Sequence, residues 1–317
     1  MEIIHTPVLL KETLSYLSPV GEPFEKDALM IDSTLGEGGH SEAFLNSFKD
    51  LRIIGLDADS KIQARARMRL EHFGDRMSFY NGWFNDFYAN YPEENRKPNI
   101  ILFDLGISVF HYERSGRGFS FRYDEPLDMR LNPNAGDSVE TLVNTMREND
   151  LADVIFQYGE ERYSRRIAKA IVEARKNGRI VSSKSLAEII YNAVPAPYRH
   201  GNIHPATKSF QAFRIAVNGE LDRLSVALKD AFHVLAAGGK LGVITFHSLE
   251  DRIVKNMFRD WGKQCICPPE QAVCTCGGEP HAEIITRKPV SPTEGEVVEN
   301  SPSRSAKLRV IRKLKDL

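Results

Sequence analysis

The first third of the chain alternates apolar strand patterns with helix patterns, and this alternation constrains the fold more than any other feature. Short apolar runs predict strands, and apolar residues spaced three and four apart predict helices between them. Strands are predicted over 28–36, 51–59, 77–82 and 99–106, and helices over 39–48 and 61–72, the second capped by Ser60. Because this alternation is typical of a parallel sheet with helices on both faces, the sequence predicts an α/β fold.

The alternation stops near residue 110, and the next hundred residues show helix patterns without a buried strand. One of these helices presents Tyr163, Ile167 and Ile171 on its apolar face and ends near Gly178. Another is predicted over 185–195 and is ended by a proline. The sequence therefore predicts a helical domain of residues 111–209 inserted into a discontinuous sheet domain.

The sheet pattern returns in the last third, so the sheet domain is predicted to comprise residues 1–110 and 210–317. The predicted elements are one long amphipathic helix over 209–236, a strand over 240–248, a helix over 249–261 capped by Ser248, an exposed loop over 287–303 and a C-terminal antiparallel pair of strands.

Composition limits the classes of function that fit this chain. The formal net charge of the 317 residues is −1, so nucleic-acid binding must depend on local basic patches. A membrane span needs about 18 consecutive apolar residues, and none is present. The first residues lack the basic start and apolar run of a secretory signal, which predicts a cytoplasmic protein.

The four cysteines all fall between Cys265 and Cys276, which argues against a disulfide framework spread through the fold. Four thiols are enough ligands for zinc. Each Cys-x-Cys pair has a shorter spacing than is typical of structural zinc sites, however, and a metal-free interpretation is favoured.

A glycine-rich turn over 36–39 joins the first strand to the first helix, and it fits several ligands unequally. Free N–H groups at a helix start suit an anion or a nucleotide. A phosphate-binding Walker loop is disfavoured because its Lys and Ser or Thr are missing. A dinucleotide fingerprint is incomplete because Ser41 stands at its third glycine, and Glu37 would repel a pyrophosphate. An unliganded tight turn is the remaining alternative.

Acids on either side of the turn favour S-adenosylmethionine as the ligand. Asp32 precedes the turn and is a candidate acceptor for the ammonium group of this cofactor. Asp57 ends the second strand, where an acid hydrogen-bonds ribose hydroxyls, although NAD sites use such an acid too. Asp104 ends the fourth strand and can either accept a proton from a methylated amine, hold the cofactor or cap the next turn.

Longer segments resemble one family closely. They are "HTPVLLKETL" (5–14), "STLGEGGHS" (33–41), "FDLGIS" (103–108), "RGFSFRYDEPLDMRL" (117–131), "YGEERYSRRIAKAIV" (158–172), "HPATKSFQAFRIAVNGEL" (204–221), "FHSLEDRIVK" (246–255) and "SRSAKLRV" (303–310). Together they resemble the RsmH family, also called MraW, of bacterial 16S rRNA cytosine-N4 methyltransferases. The resemblance covers nearly the whole chain. It implies a Rossmann-like class I methyltransferase sheet with an inserted helical domain for substrate recognition.

The resemblance also implies S-adenosylmethionine as the cofactor and a cytidine in the decoding region of 16S rRNA, within the small ribosomal subunit, as the target. By position, the family's cofactor contacts fall on Gly38, Gly39, His40, Asp57, Phe84, Asp104 and His111. His111 is a departure, because the family carries a Gln there. Asp104 is the catalytic candidate, and the chemistry expected of it needs no metal.

Substrate contacts are predicted in the helical insert. The eight cations of the segment 162–184 are set against two acids, Glu161 and Glu173, and Arg165 and Arg166 are the candidate phosphate contacts. In the segment 117–131, Arg122, Asp128 and Arg130 are assigned to the substrate side. Its aromatic residues Phe119 and Phe121 either stack on a base or pack the base of the insert. His204 either closes the substrate pocket or marks a turn, and His247 is either a proton relay or part of a helix start.

Two other classes of function remain as alternatives. A Rossmann-type NAD-dependent oxidoreductase is disfavoured by Ser41 and Glu37. A non-catalytic rRNA-binding assembly factor is disfavoured by the presence of both Asp57 and Asp104.

Overall fold

The computed structural model of the chain describes residues 6–19, 27–92, 94–201, 203–264, 267, 270–273, 275 and 278–317. The strands are β1 Leu29–Asp32, β2 Arg52–Asp57, β3 Met77–Asn81, β4 Ile100–Asp104, β5 Lys240–Thr245, β6 Ala282–Ile284 and β7 Lys307–Lys313. The helices before the insert are α1 Leu10–Leu17, α2 Gly39–Ser47, α3 Ser60–Leu70 and α4 Phe84–Ala89. Short 3₁₀ helices cover Glu71–Arg76 and Ser301–Ser305.

The remaining helices begin after the fourth strand. They are α5 Val109–Glu113, α6 Val139–Thr145, α7 Glu148–Gly159, α8 Ser164–Lys176, α9 Ser183–Ala193, α10 Ala196–Arg199, α11 Ala206–Asn218, α12 Glu220–Val234, α13 Ser248–Trp261 and α14 Glu294–Glu299. None of the helices in the described ranges combines the length and apolar character needed to cross a bilayer.

The strands form one sheet in the order β3-β2-β1-β4-β5-β7-β6. Strands β1 to β5 are parallel, and β7 pairs antiparallel with both β5 and β6. A doubly wound dinucleotide-binding sheet has the order 3-2-1-4-5-6 with no reversed strand between the last two. The reversed β7 therefore distinguishes this sheet from that fold, and the class I methyltransferase arrangement is confirmed.

Alternate residues of the strands enter two separate cores, as the twofold side-chain period of a strand requires. Ile31, Ile101 and Val243 point to the face covered by α12 and α13. Met30 and Leu102 point to the opposite face, which α1, α2 and α3 cover. Both faces of the parallel strands are thus buried, which explains why they appear as continuous apolar runs in the sequence.

The chain divides into two compact units. The sheet unit comprises Met1–Gly106 and Asp222–Leu317, and the helical unit comprises Ile107–Leu221. The helical unit has its own core, to which Phe210 and Phe213 of α11 belong. The unit therefore extends further along the chain than the sequence-based boundary at residue 209, because α11 buries its apolar face among the inserted helices.

Three local predictions were wrong. The single long helix over 209–236 is two helices, because Gly219 takes the left-handed conformation (φ 58°) and ends α11. The cap of α3 is Asp59, whose side chain accepts from the Lys61 amide at 2.9 Å, and not Ser60. The loop over 287–303 contains α14, where Glu296 accepts from the Leu9 amide at 2.7 Å and so anchors the start of α1.

The basic C-terminal segment forms β7, and its charges serve the fold. Lys313 is 1% exposed and donates from Nζ to the carbonyl oxygens of Phe232, His233 and Leu235 at 2.7–2.8 Å. These carbonyls lie at the end of α12, where the last C=O groups of a helix lack intrahelical partners. The lysine therefore caps that helix, and burial lowers the pKa of its ammonium group.

Candidate functional site at the carboxyl edge of the sheet

Two aspartates, Asp57 of β2 and Asp104 of β4, flank β1 where its carboxyl end meets the glycine turn. In the sheet register Asp32 of β1 pairs with Gly55 of β2 and with Leu102 of β4. Asp57 and Asp104 each lie two residues beyond those partners, on opposite sides of β1. The strand order reverses between β1 and β4, and ligands of open α/β sheets bind at such a reversal. The acids predicted from the sequence are therefore brought to one edge.

The glycine turn is fixed to both neighbouring strands. On one side, Gly36 N–H donates to Asp57 Oδ2 at 2.9 Å, and Leu35 N–H donates to the Leu56 carbonyl oxygen at 2.8 Å. On the other side, the Asp104 N–H donates to Thr34 Oγ1 at 2.6 Å. Hydrogen bonds from both strands therefore hold the turn in place before any ligand binds.

The turn leaves donors and space at its surface. Gly36 has φ 54°, and a Cβ added there would meet no atom closer than the Thr34 oxygen at 4.0 Å. Gly38 is the N-cap residue of α2 and offers no capping side chain. The first N–H groups of α2 have no intrahelical acceptor, and they suit an anionic ligand group such as a carboxylate.

Asp32 is not an open ammonium acceptor as the sequence suggested, because it is 1% exposed. Its Oδ2 accepts from Ser41 Oγ at 2.7 Å, and its Oδ1 receives a weaker contact from the Thr34 amide at 3.4 Å. Burial raises the pKa of its carboxyl. Ser41, which breaks the dinucleotide fingerprint, therefore supplies the hydroxyl that this buried acid needs. Sequence analysis missed the pair, although the two residues bracket the turn.

The charge of Glu37 is partly neutralised in the structure. Its Oε1 lies 2.9 Å from Arg65 Nε on α3, and both side chains are half-buried. The repulsion of a pyrophosphate by Glu37 is thus a weaker objection to a dinucleotide than the sequence suggested. The antiparallel β7 and the role of Ser41 are stronger objections.

Asp57 is half-buried and keeps open acceptor capacity. Its Oδ1 accepts from the Asp59 amide at 2.8 Å and its Oδ2 from the Gly36 amide. Each carboxylate oxygen has a second lone pair, so the carboxylate can accept two further hydrogen bonds from adjacent hydroxyl groups of a ligand, such as those of a ribose. Burial raises the pKa of this carboxyl to about 7. The group therefore titrates near neutral pH.

Aromatic side chains follow β3 at the same edge. Phe84 opens α4, and its ring packs edge-to-face on Phe103 with centroids 5.5 Å apart. The preceding Trp83 carries the Arg223 guanidinium over its face at 4.3 Å, and Arg223 also donates to Asn85 Oδ1 at 3.0 Å. The Trp83–Arg223 pair had no signal in the sequence, because the two residues are far apart along the chain.

His40 and Asp104 face each other across the edge. His40 Nε2 lies 3.4 Å from Asp104 Oδ2, and the side chains are 6% and 24% exposed. Within the described residues, neither ring nitrogen of His40 makes a hydrogen bond, and Asp104 Oδ1 makes none either. Buried polar atoms without partners are uncommon in native proteins, so these atoms are candidates for ligand contacts.

The helical unit holds the other predicted site residues in varied environments. His111 is buried in α5 with its ring edge-to-face on Phe119, 5.2 Å between centroids. Arg130 donates to both oxygens of Asp128, at 2.5 and 3.2 Å, and to the Gly136 carbonyl oxygen at 3.1 Å. The Asp128–Arg130 pair thus braces its own loop, whereas the side chain of Arg122 is exposed.

The aromatic residues of the 117–131 segment pack the helical unit. Phe119 is 5% exposed and belongs to the core of that unit. Phe121 stacks on His204 at 4.6 Å and packs edge-to-face on Phe210. Tyr191 also stacks on His204, with ring centroids 5.8 Å apart. Of the two alternatives left open by the sequence, the structure supports packing for both phenylalanines.

The basic segment 162–184 is less uniform than its sequence. Arg175 donates to the carbonyl oxygens of Val143 and Met146 at 2.9 and 2.8 Å, and Arg179 pairs with Glu140 at 2.9 Å. In contrast, Arg165 and Arg166 are exposed on α8 and make no hydrogen bond or ion pair with any residue that the structure describes. They alone of the four keep their charge open for a ligand.

Two further predictions concern the C-terminal part. The cap of α13 is His247, which forms a capping box with Glu250, whereas Ser248 was predicted. Asp251 instead binds Arg309 of β7 at 2.7 Å. Of the cysteine cluster, Cys265, Cys274 and Cys276 lie outside the described residues, so the preference for a metal-free cluster over a zinc site stays a prediction.

The chain is similar to known proteins over nearly its whole length. The model of the MraW methylase family matches residues 2–314. The chain is 57% identical to the "Ribosomal RNA small subunit methyltransferase H" of Treponema denticola, over 99% of this chain and 98% of that protein. It is 42% identical to the protein of the same name from Treponema pallidum, over 98% and 93%. A third relative of that name, from Heliobacterium mobile, is 43% identical over 99% and 100%.

Proposed function

This chain belongs to the MraW methylase family, and on that premise we propose that it transfers a methyl group from S-adenosylmethionine to N4 of a cytidine in 16S rRNA of the small ribosomal subunit. We propose that this methyl transfer takes place in the cytoplasm, where the small subunit is assembled. The observation that carries the proposal is the pair of acids, Asp57 and Asp104, on either side of a glycine turn that both strands hold in place.

The residues at the edge of the sheet fit S-adenosylmethionine. Asp57 has acceptor capacity for the two ribose hydroxyls, and Phe84 offers an apolar ring next to them. The uncapped N–H groups of Gly39 and His40 at the start of α2 suit the carboxylate of the amino-acid tail. The open space at Gly36 allows close approach of the ligand to the backbone. These assignments, and a contact from His111, are part of the proposal.

The bound cofactor supplies an electrophilic methyl group on a sulfonium centre. The exocyclic amine of cytosine is a poor nucleophile because its lone pair is delocalised into the ring. The chain must therefore hold that amine in line with the methyl group. Orientation of this kind lowers the activation barrier by about 7–11 kcal/mol. Asp104 accepts a hydrogen bond from the amine and takes its proton as the new bond forms. A positioned base raises the rate of such a reaction by about 10²–10⁴-fold.

Arg165 and Arg166 of the helical unit are proposed to contact rRNA phosphates. Both are exposed and unpaired among the described residues, and phosphate contacts release counterions, which gives affinity independent of sequence. Arg122 is exposed and is proposed for the same role. Asp128 and Arg130 are proposed to act indirectly, because their mutual hydrogen bonds shape the loop that carries them.

The first test combines binding and turnover. Calorimetric titration with S-adenosylmethionine and, separately, with NAD should show saturable binding of the first alone. Transfer of labelled methyl from S-adenosylmethionine should then occur to small subunits that lack the modification, with the label on cytidine N4. Binding of NAD alone would overturn the proposal. Binding of S-adenosylmethionine without transfer to naked rRNA or to subunits would instead support a non-catalytic assembly factor.

Asp104→Ala should lower the single-turnover rate at saturating cofactor by about 10²–10⁴-fold, because the proton acceptor is removed. The protein should still fold, since the Thr34 contact uses the backbone amide of residue 104 and survives the substitution. Asp75→Ala is the matched control, because it removes an exposed acid of the same unit. Near wild-type turnover of Asp104→Ala would remove this residue from the mechanism.

A further inference from the structure

We propose that the His40 side chain is a positioning residue that acts through Asp104. Its imidazole donates from Nε2 to the Asp104 carboxylate and holds that group in the orientation that receives the target amine. The inference rests on the proposed methyl transfer. It assigns the imidazole of His40 a role separate from the proposed contact between the backbone N–H of this residue and the carboxylate of the cofactor.

The geometry carries the inference. His40 Nε2 lies 3.4 Å from Asp104 Oδ2, so a small rotation of either side chain completes a hydrogen bond. Catalytic hydrogen bonds are often long before the substrate binds and shorten in the complex. No other hydrogen bond of the described residues competes for the ring nitrogens of His40 or for Asp104 Oδ1.

Burial makes this arrangement costly unless a partner is supplied. The His40 side chain is 6% exposed, and an unsatisfied buried polar group costs about 1–3 kcal/mol. Most buried polar side-chain atoms in native proteins are hydrogen-bonded. Two groups without such bonds face each other here, at the edge where the ligand binds. This arrangement indicates that the missing hydrogen bonds of His40 and Asp104 form together, when the cofactor and the target amine bind.

The neighbouring residues hold His40 in place from both sides. A Cβ added at Gly39 would lie 2.5 Å from Pro7 Cγ, so the start of α2 packs closely on the N-terminal segment. The next residue, Ser41, is bonded to the buried Asp32 at 2.7 Å. The backbone of His40 is thus fixed between two anchored residues, and its imidazole has a defined place opposite Asp104.

The chemistry sets which nitrogen carries the proton. A carboxylate only accepts hydrogen bonds, so Nε2 of His40 must carry hydrogen. Asp104, held in this way, keeps acceptor capacity for the amine. The amine nitrogen forms its bond to the methyl carbon as the carbon–sulfur bond breaks with the electron pair on sulfur, and the surplus proton on nitrogen passes to the Asp104 carboxylate. The charges balance without any further reactant.

Two substitutions of His40 distinguish donation from space filling. In His40→Gln the amide nitrogen falls near the position of Nε2, whereas in His40→Asn it falls near Nδ1 and does not reach Asp104. We expect His40→Asn to lower the single-turnover rate by about 10²-fold and His40→Gln by about 10-fold or less. The dissociation constant for S-adenosylmethionine should stay within about threefold, because the backbone amide is unchanged.

A double-mutant cycle with Asp104→Asn tests whether His40 acts through Asp104. Residues that work as a unit are non-additive, so His40→Asn should add no further loss in the Asp104→Asn background. Full additivity would overturn the inference, as would equal rates for wild type, His40→Gln and His40→Asn. A fall in cofactor affinity that accounts for the whole loss of rate would also overturn it. Failure of the wild-type protein to transfer methyl at all would instead count against the proposed function.

Discussion

The carboxyl edge of the sheet and the helical unit use polar side chains in opposite ways. At the edge of the sheet, His40 and Asp104 keep atoms without hydrogen bonds among the described residues. In the helical unit, Arg117, Arg130 and Arg175 donate to carbonyl oxygens of their own unit. A site for a small ligand must keep its polar atoms available, whereas an inserted domain with many loops needs cations to satisfy its backbone.

The comparison changes how charge in the insert is interpreted. The sequence showed eight cations between Arg162 and Lys184 as one basic surface. In the structure Arg175 serves the end of α6, and Arg179 is paired with Glu140. A cluster of cations in a sequence therefore overstates the positive charge that is available to a phosphate backbone. Some of these cations are already hydrogen-bonded or ion-paired within the folded protein.

Among the variants that test this comparison, the largest effect is expected from removing the exposed cations Arg165 and Arg166 of the helical unit. The double variant Arg165→Gln/Arg166→Gln should weaken binding to the small subunit and reduce the slope of log affinity against log salt by about 2. The matched control Arg175→Gln should instead lower the free energy of unfolding by about 1–3 kcal/mol, because two carbonyls lose their donor, and should leave the slope unchanged. An equal loss of slope in both variants would erase the distinction between open and structural cations.

A smaller effect is expected from a pair of glycines in the sheet unit. Gly36 and Gly74 have φ of 54° and 55°, and neither has a close neighbour at the Cβ position. Alanine at either position should cost about 1–3 kcal/mol of stability, because a residue with a side chain is strained at these positive φ angles. Only Gly36→Ala should also weaken S-adenosylmethionine binding, since its Cβ enters the space at the turn. Thermal unfolding and calorimetry separate the two effects, and equal cofactor affinity in both variants would exclude the turn as the cofactor site.

The smallest effect concerns the pH dependence of cofactor binding. Burial raises the pKa of Asp57 to about 7, so its carboxyl is protonated at lower pH and is a weaker acceptor for ribose hydroxyls. Affinity for S-adenosylmethionine should therefore rise by about 3- to 10-fold between pH 6 and pH 8 and then level off. Asp57→Asn should bind more weakly and lack this step, which also corrects for titration of the cofactor itself. A step of the same size in Asp57→Asn would assign the titration to another group.

Much of the fold and part of the site followed from local patterns. The strands and the first helices were predicted because apolar spacing directly reflects the twofold and 3.6-fold periods of the backbone. Asp57 and Asp104 were identified as neighbours of one ligand because the carboxyl ends of parallel strands meet at one edge of a sheet. The break at Gly219 was missed, because a helix pattern on both sides concealed a single left-handed residue.

The sequence by itself determined the α/β class, the inserted helices, the family and the edge at which the cofactor is proposed to bind. Only the tertiary structure decided which polar atoms have hydrogen-bond partners within the protein and which do not. Ser41 satisfies Asp32, Lys313 caps α12 and Arg175 caps α6, whereas His40 and Asp104 face each other without a hydrogen bond. Such pairings depend on distances between residues that are remote along the chain, and hydrophobic periodicity carries no information about those distances.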